Sequence, residues 1–325
     1  MSRVQSGGAP LARSEIDVSL AVVTGASGFI GRHLVRRLAA DGVDVCGVDR
    51  RPPPRGAPGS AVVADLAEHH PAVDAILRRA GVVYHLAGCP GVRDDGPGVA
   101  VRRWRDNVVA AEHVLDIVAD RVPVVVTSSS SVYGGAAHTP TGLRPCRESD
   151  RLRPRGGYAR SKAVLERRCA DRVARGGLVA VARPFTVAGE HQRPDMAIAR
   201  WLDAARSGGP LAVFGSLRRV RDVTDVGHVV DGLVRLAALR RPATVNLGTG
   251  VGYALADLVA AVTAVAGRAP VEILPAHVDE VPATLADTAR CERLLGFRPM
   301  TDLADLVARQ WDAADVPAPD LVEAP

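Results

Sequence analysis

Leu20-Ala-Val-Val-Thr24-Gly25-Ala-Ser-Gly28-Phe-Ile-Gly31 is the stretch that decides the fold. A short apolar run ends in three spaced glycines, and these lead directly into amphipathic sequence. That order reads as strand, tight turn and helix. Gly25 permits the turn, Gly28 lets the backbone approach a pyrophosphate, and Gly31 lets the helix pack close to the sheet. The helix N-terminus beyond them favours an anion. Phe29 and Ile30, between the last two glycines, belong to the same cofactor-binding segment. Eighteen residues after Gly31 the second strand ends at Asp49. A carboxylate there can hold both hydroxyls of a ribose, and it repels a 2′-phosphate, so NAD is expected over NADP. Arg50 and Arg51 follow at once, and either could accept that phosphate.

Outward from this motif the same rhythm repeats. Val43–Asp49, Val82–Leu86, Val122–Thr127 and Leu178–Arg183 are short and rich in β-branched residues, as strands are. Gly31–Asp41, Trp104–Ala119 and Tyr158–Arg175 carry helical spacing. Alternation of strand and helix predicts an α/β fold: a Rossmann-type doubly wound parallel sheet, with a smaller C-terminal substrate-binding lobe. The expected organisation is a tail over 1–17, an NAD-binding domain over 18–186, and a substrate lobe over 187–315. Residues 220–250 are expected to return to the first domain, and 316–325 to form a second tail. Asp65-Leu66, after the third strand, suits a contact to adenine, and equally a strand-end cap.

Composition narrows the function. The 325 residues are 47% apolar but only 3% aromatic, so Val, Ala and Leu must fill the core. A net charge of +5 is spread along the chain with no basic arm or interleaved aromatics, so no nucleic-acid partner is expected. No run reaches the roughly 18 apolar residues of a membrane span. Five widely spaced cysteines read as reduced thiols, and the N-terminus lacks the apolar core of a signal peptide, so a cytoplasmic protein is expected. The sequence shows no metal-ligand spacing, no Gly-x-Ser-x-Gly elbow and no Walker loop; no metal is expected.

The 41 basic residues include one lysine, Lys162, so the other 40 are arginine. A position that keeps a primary amine under that bias needs an amine, because guanidinium stays protonated and planar whereas ammonium can be tuned. Tyr158 lies four residues upstream, on the same helical face. A phenol beside a fixed ammonium has its pKa lowered, which makes Tyr158 a general base.

Several motifs together resemble the extended short-chain dehydrogenases, in particular the nucleotide-sugar epimerases, decarboxylases and dehydratases. They are Gly25-x-x-Gly28-x-x-Gly31, His85-Leu86-Ala87, Thr127-Ser-Ser-Ser-Ser-Val-Tyr133-Gly134 and Tyr158-x-x-x-Lys162, joined by Arg183-Pro-Phe-Thr186, Arg193-Pro-Asp-Met196, Arg221-Asp222, Asn246-Leu-Gly-Thr-Gly250 and Leu295-Gly-Phe-Arg-Pro299. The resemblance spans about Leu20 to Ala313. It implies that Tyr158 removes the proton from a sugar C4 hydroxyl, that Lys162 holds the nicotinamide ribose, and that Ser129 steadies the developing alkoxide. It places Leu86, Ala87 and Asn107 beside the cofactor, and it implies a homodimer built on the Trp104–Ala119 and Tyr158–Arg175 helices.

These relatives share a 4-keto intermediate and differ in the next step. Dehydratases carry an Asp-Glu pair where this chain has Ser130 and Ser131, so 4,6-dehydration has no acid and base here. Decarboxylases carry a glutamate near the position of Ser131. Arg193-Pro-Asp-Met196, the Glu280–Asp287 stretch and His85–Arg93 look most like UDP-glucuronate 4-epimerases. That resemblance assigns Pro90, Arg93, Ser129, Ser130, Ser131, Thr186, Arg193 and Arg221 to a UDP-sugar substrate. The expected activity is NAD-dependent inversion at C4 of UDP-glucuronate, with oxidative decarboxylation as the alternative and a non-catalytic NAD-sensing regulator as the different class. Three segments depart from the pattern: Val187-Ala188-Gly189-Glu190, Gly215–Val220 and Asp94–Pro97.

Overall fold

The structure is a computed structural model describing residues 20–91 and 96–314. Seven strands form the main sheet: β1 (Ala21–Thr24), β2 (Val45–Asp49), β3 (Ser60–Val63), β4 (Val82–His85), β5 (Val124–Thr127), Val179–Pro184 and Ala243–Leu247. Across the sheet the order is Ala243–Leu247, Val179–Pro184, β5, β4, β1, β2, β3. Every pairing in it is parallel. The order in which successive strands are added switches sides between β1 and β4, and a crevice opens at the carboxyl ends of the strands there.

Helices cover both faces, which is why the central strands are continuously apolar rather than alternating. The helices flanking the site are α1 (Phe29–Ala40), α2 (Pro71–Arg79), α3 (Val99–Trp104), α4 (Ala110–Ile117) and α5 (Gly156–Ala174). Successive β1 side chains serve opposite layers. Ala21 and Val23 pack with α1 and the Val226–Ala238 helix, whereas Val22 packs with α2, α4 and α5.

Three helices differ from the sequence reading, α5 beginning at Gly156 rather than Tyr158. α1 begins at Phe29, two residues early, with Gly28 as its N-cap. The expected Trp104–Ala119 helix starts at Val99 and contains one π turn, Arg105–Val109, between α3 and α4. A π turn inserts a residue and re-aims the side chains around it, here Asn107.

Strands Thr186–Ala188, Val220–Asp225 and Gly252–Ala254 form a second, three-stranded sheet. Beside it a separate core gathers Ile198, Trp201, Leu211, Val223, Leu258 and Leu306. Among the described residues no helix is long and apolar enough to cross a membrane.

Candidate active site

The glycine turn follows from steric necessity. Gly25 has φ +70°, and a Cβ on it would stand 2.7 Å from the Ala87 nitrogen. A Cβ on Gly31 would lie 2.1 Å from the Gly25 carbonyl oxygen. The N-cap Gly28 makes no side-chain cap, so the first N–H groups of α1 point into the crevice. These features leave the open backbone cradle that a pyrophosphate needs.

Asp49 closes the adenosine end. Its carboxylate accepts the backbone N–H of Ser27 and of Arg51, each at 3.0 Å. Arg50 turns away from Asp49, donating to Asp106 at 2.7 Å. The Arg51 guanidinium donates to the Ser27 carbonyl at 3.3 Å. Asp65 accepts the Ala67 N–H at 2.9 Å and a hydrogen bond from Arg105 at 2.8 Å. Burial opposes its ionisation, but the Ala67 amide and Arg105 outweigh that and hold the carboxyl below its usual range. The Asp65 side chain thus serves as a strand-end cap while lining the same cleft as Leu66.

Two cavities meet at Tyr158. The first, about 690 Å³, holds Gly25, Gly28, Phe29, Ile30, Gly31, Asp49, Arg50, Asp65, Leu66, Leu86, Ala87, Asn107 and Lys162. The second, about 780 Å³, holds Ser129, Ser130, Ser131, Thr186 and Arg221. Phe29, Ile30, Pro90, Thr127, Tyr158 and Arg193 border both. Arg93 lies outside the described residues. The predicted residues thus line two adjoining cavities, with Tyr158 at their junction.

Asn107 ties the two sides together. Its Oδ1 accepts the Cys89 N–H at 2.7 Å, and its Nδ2 donates to the Ser161 hydroxyl at 2.8 Å. Ser161 in turn donates to the Tyr158 carbonyl at 2.8 Å. The π turn thus fixes α5, and Tyr158 with it, against the loop after β4.

Lys162 is buried, and its Nζ donates to the Thr127 carbonyl at 2.9 Å. Burial lowers its pKa to about 8. His85 is buried nearby and is pushed down to about 3 by that burial and by Lys162, so it stays neutral. The Thr24 hydroxyl accepts the Ala87 N–H at 3.3 Å and lies 2.9 Å from His85 Nδ1.

Burial raises the Tyr158 phenol pKa, while the Ser129 hydroxyl, Arg193 and Arg103 lower it. Burial outweighs these groups, so the phenol lies above its usual range, and Lys162 does not lower it, contrary to the expectation from helical spacing. Arg193 also pairs with Asp195 at 2.8 Å, and Arg221 lies 3.9 Å from Glu280. The Ser131 hydroxyl and the Thr127 hydroxyl are buried oxygens without a hydrogen-bond partner.

Sequence reasoning missed three supports. Arg103, given no role in the sequence reading, is buried and donates to the Gly91 carbonyl at 2.6 Å. Glu166 accepts from Ser128 at 2.5 Å and from Arg183 at 2.6 and 2.9 Å. It lies four residues after Lys162, and that helical spacing was the available signal. Asp222 accepts from Thr249 N–H and hydroxyl, Gly250 N–H and Ala286 N–H at 2.8–3.0 Å. Burial raises its pKa although these donors oppose the shift.

Known proteins are similar to this chain along most of its length. A probable UDP-glucuronate 4-epimerase of Rhizobium meliloti (strain 1021) is 29% identical, the match covering 89% of this chain and 96% of that protein. The solved structure of MoeE5 in complex with UDP-glucuronic acid and NAD is 34% identical, with a TM-score of 0.82, covering 91% of this chain and 98% of that one. The UDP-glucuronic acid 4-epimerase of Bacillus cereus, solved with UDP-glucuronic acid and NAD, is 25% identical at a TM-score of 0.82, covering 90% and 98%. The glycine cradle, the Asp49 carboxylate and buried Lys162 fit NAD, whose nicotinamide end would lie toward Tyr158. The sequence profile of one family matches residues 21–248, most of the chain. With that match and this site, the chain belongs to the NAD dependent epimerase/dehydratase family.

Proposed function

We propose that this protein is a UDP-hexuronic acid 4-epimerase, acting on UDP-glucuronate through a transient 4-keto sugar. The observation that carries this reading is the position of Tyr158, half-buried where the two cavities join. NAD supplies a reversible two-electron acceptor at C4. Tyr158 takes the C4 hydroxyl proton, and the Ser129 hydroxyl, which lowers the phenol pKa, steadies the oxygen as charge develops on it. Arg193 and Arg103 favour the phenolate that this step requires. Inversion follows when the ketone presents its opposite face and Tyr158 returns the proton.

The uronate part of the reading rests on hydroxyls. Ser130, Ser131 and Thr186 line the sugar side, and the Ser131 Oγ is buried without a partner. A carboxylate would satisfy such a donor, whereas an unpaired one costs about 1–3 kcal/mol. Oxidation at C4 makes a β-keto acid that loses CO₂ when its carboxylate stands perpendicular to the carbonyl plane. Hydroxyls that hold the carboxylate in plane protect it. The relatives named above bind UDP-glucuronic acid or are named as epimerases of it, which supports the same substrate.

We further propose a homodimer built on the α3–α4 and α5 helices. Val101 and Trp104, at 71% and 49% exposure on α3, leave apolar surface for a partner copy to cover.

Incubation of the purified protein with UDP-glucuronate and NAD, followed by NMR of the product, tests the activity. UDP-galacturonate with its carboxylate retained supports the reading. A pentose or 4-keto pentose replaces it with decarboxylation, and an unchanged substrate shows that the altered loops select another sugar.

A further inference from the structure

Outside the catalytic crevice, His69, Asp74 and His113 offer one ligand atom each, all within 4.8 Å of one another. Their sequence positions follow no metal-binding spacing; folding brings them together. His113, on α4, directs Nδ1 at the Leu66 carbonyl oxygen, 2.8 Å away. Its Nε2 faces Asp74 Oδ1, on α2, at 3.0 Å. Both partners can only accept, yet a neutral imidazole has one N–H. With Nδ1–H given to the carbonyl, Nε2 would turn its lone pair toward the Asp74 carboxylate, where a cation would satisfy both.

A third donor favours the cation. His69 Nδ1 lies 3.3 Å from Asp74 Oδ2. Ligand atoms around tetrahedral zinc, at bond lengths of about 2.0–2.2 Å, stand about 3.3 Å apart. His113 Nε2 stands 3.0 Å from Asp74 Oδ1 and His69 Nδ1 3.3 Å from Oδ2, and with all three ligand atoms within 4.8 Å the set can close to that spacing by side-chain rotation. The Leu66 carbonyl fixes the His113 ring in the tautomer that presents Nε2, as second-shell acceptors do for metal-bound histidine. Asp74 is buried, which strengthens its attraction for a cation, while His69 is 76% exposed and gives an entry path. Arg78, 3.8 Å from Asp74 and 62% exposed, is the competing charge and can swing into solvent.

We infer that His69, Asp74 and His113 form a binding site for a divalent transition metal, Zn²⁺ by its nitrogen-and-oxygen donor set, with solvent completing the coordination. The bound ion would clamp α2 and its leading loop to α4. Through His113 and the Leu66 carbonyl it would also stiffen the Asp65-Leu66 wall of the cofactor cleft.

The test uses the full chain stripped with a chelator, then dialysed against Zn²⁺ or Co²⁺. Stoichiometric uptake is expected, with a higher Tm and, for Co²⁺, the visible bands of a tetrahedral site. His69→Ala should weaken binding by at least about tenfold, as loss of a ligand must exceed loss of a second-shell partner. Because His69 is exposed, its metal-free Tm should match that of the parent chain. Asp74→Asn should remove uptake. Failure to bind stoichiometrically, or binding that survives both substitutions, would overturn the site; the latter would point to the cysteines.

Discussion

Glu166 and Arg183 form a buried two-point ion pair, Nε to Oε1 at 2.9 Å and Nη2 to Oε2 at 2.6 Å. Glu166 stands one turn beyond Lys162 on α5, and Arg183 lies on the next strand of the sheet. The same carboxylate accepts from Ser128, and the same guanidinium donates to the Tyr133 hydroxyl at 2.8 Å. The pair thereby joins the catalytic helix to both ends of the serine run. Glu166→Ala should leave Arg183 charged, buried and unpaired, costing about 3–5 kcal/mol. The midpoint of urea unfolding checks this; an unchanged midpoint would show that water replaces the carboxylate.

Tyr158→Phe removes the proposed proton acceptor and little else. Turnover should fall by about 10²–10⁴, the usual contribution of a positioned acid or base. NAD affinity, measured by fluorescence titration, should stay near that of the parent protein. Retained turnover would refute the assigned base.

Lys162→Met exchanges stability for function. Burial lowers the lysine pKa to about 8, below its ordinary value of 10.5, so the folded state resists carrying this charge. Below pH 8 the unfavourable charge is fully present, and the methionine variant should be the more stable protein by thermal melting. Between pH 8 and 10.5 the unfolded chain binds more protons than the folded one, so the parent gains stability with rising pH and the gap closes. The variant should be inactive throughout. Lys162→Arg should also lose activity, since a larger group of fixed charge would replace the amine. A fully active arginine variant would undo the inference from the single lysine.

Gly31→Ala places a methyl group where the Gly25 carbonyl stands, 2.1 Å from the oxygen. The turn must open, so NAD binding and Tm should fall together. An unaltered crevice in a crystal structure of the variant would contradict the close-packing account.

Asp49→Ser withdraws the charge that would repel a 2′-phosphate while leaving Arg51 against the Ser27 carbonyl. The preference for NAD over NADP, read as a ratio of kcat/KM, should fall by about tenfold or more. No change in the ratio would remove Asp49 from cofactor selection.

The sequence by itself determined the doubly wound sheet, because buried parallel strands must be continuous apolar runs and because only glycine tolerates the turn at Gly25. It also pointed to Tyr158 and Lys162, since helical spacing places residues four apart on one face. It missed what depends on distance through space. The π turn that aims Asn107 leaves no clear mark in helical periodicity. Nothing in its neighbours marks Arg103 among 40 arginines, and only packing buries it beside the Gly91 carbonyl. Glu166 and Arg183 meet only because α5 lies across the sheet, and His69, Asp74 and His113 meet only because α2 packs on α4. Local sequence sets which dihedrals and faces are available. Which charges share one dry space is decided by the packing of whole elements, and that exists only in the folded chain.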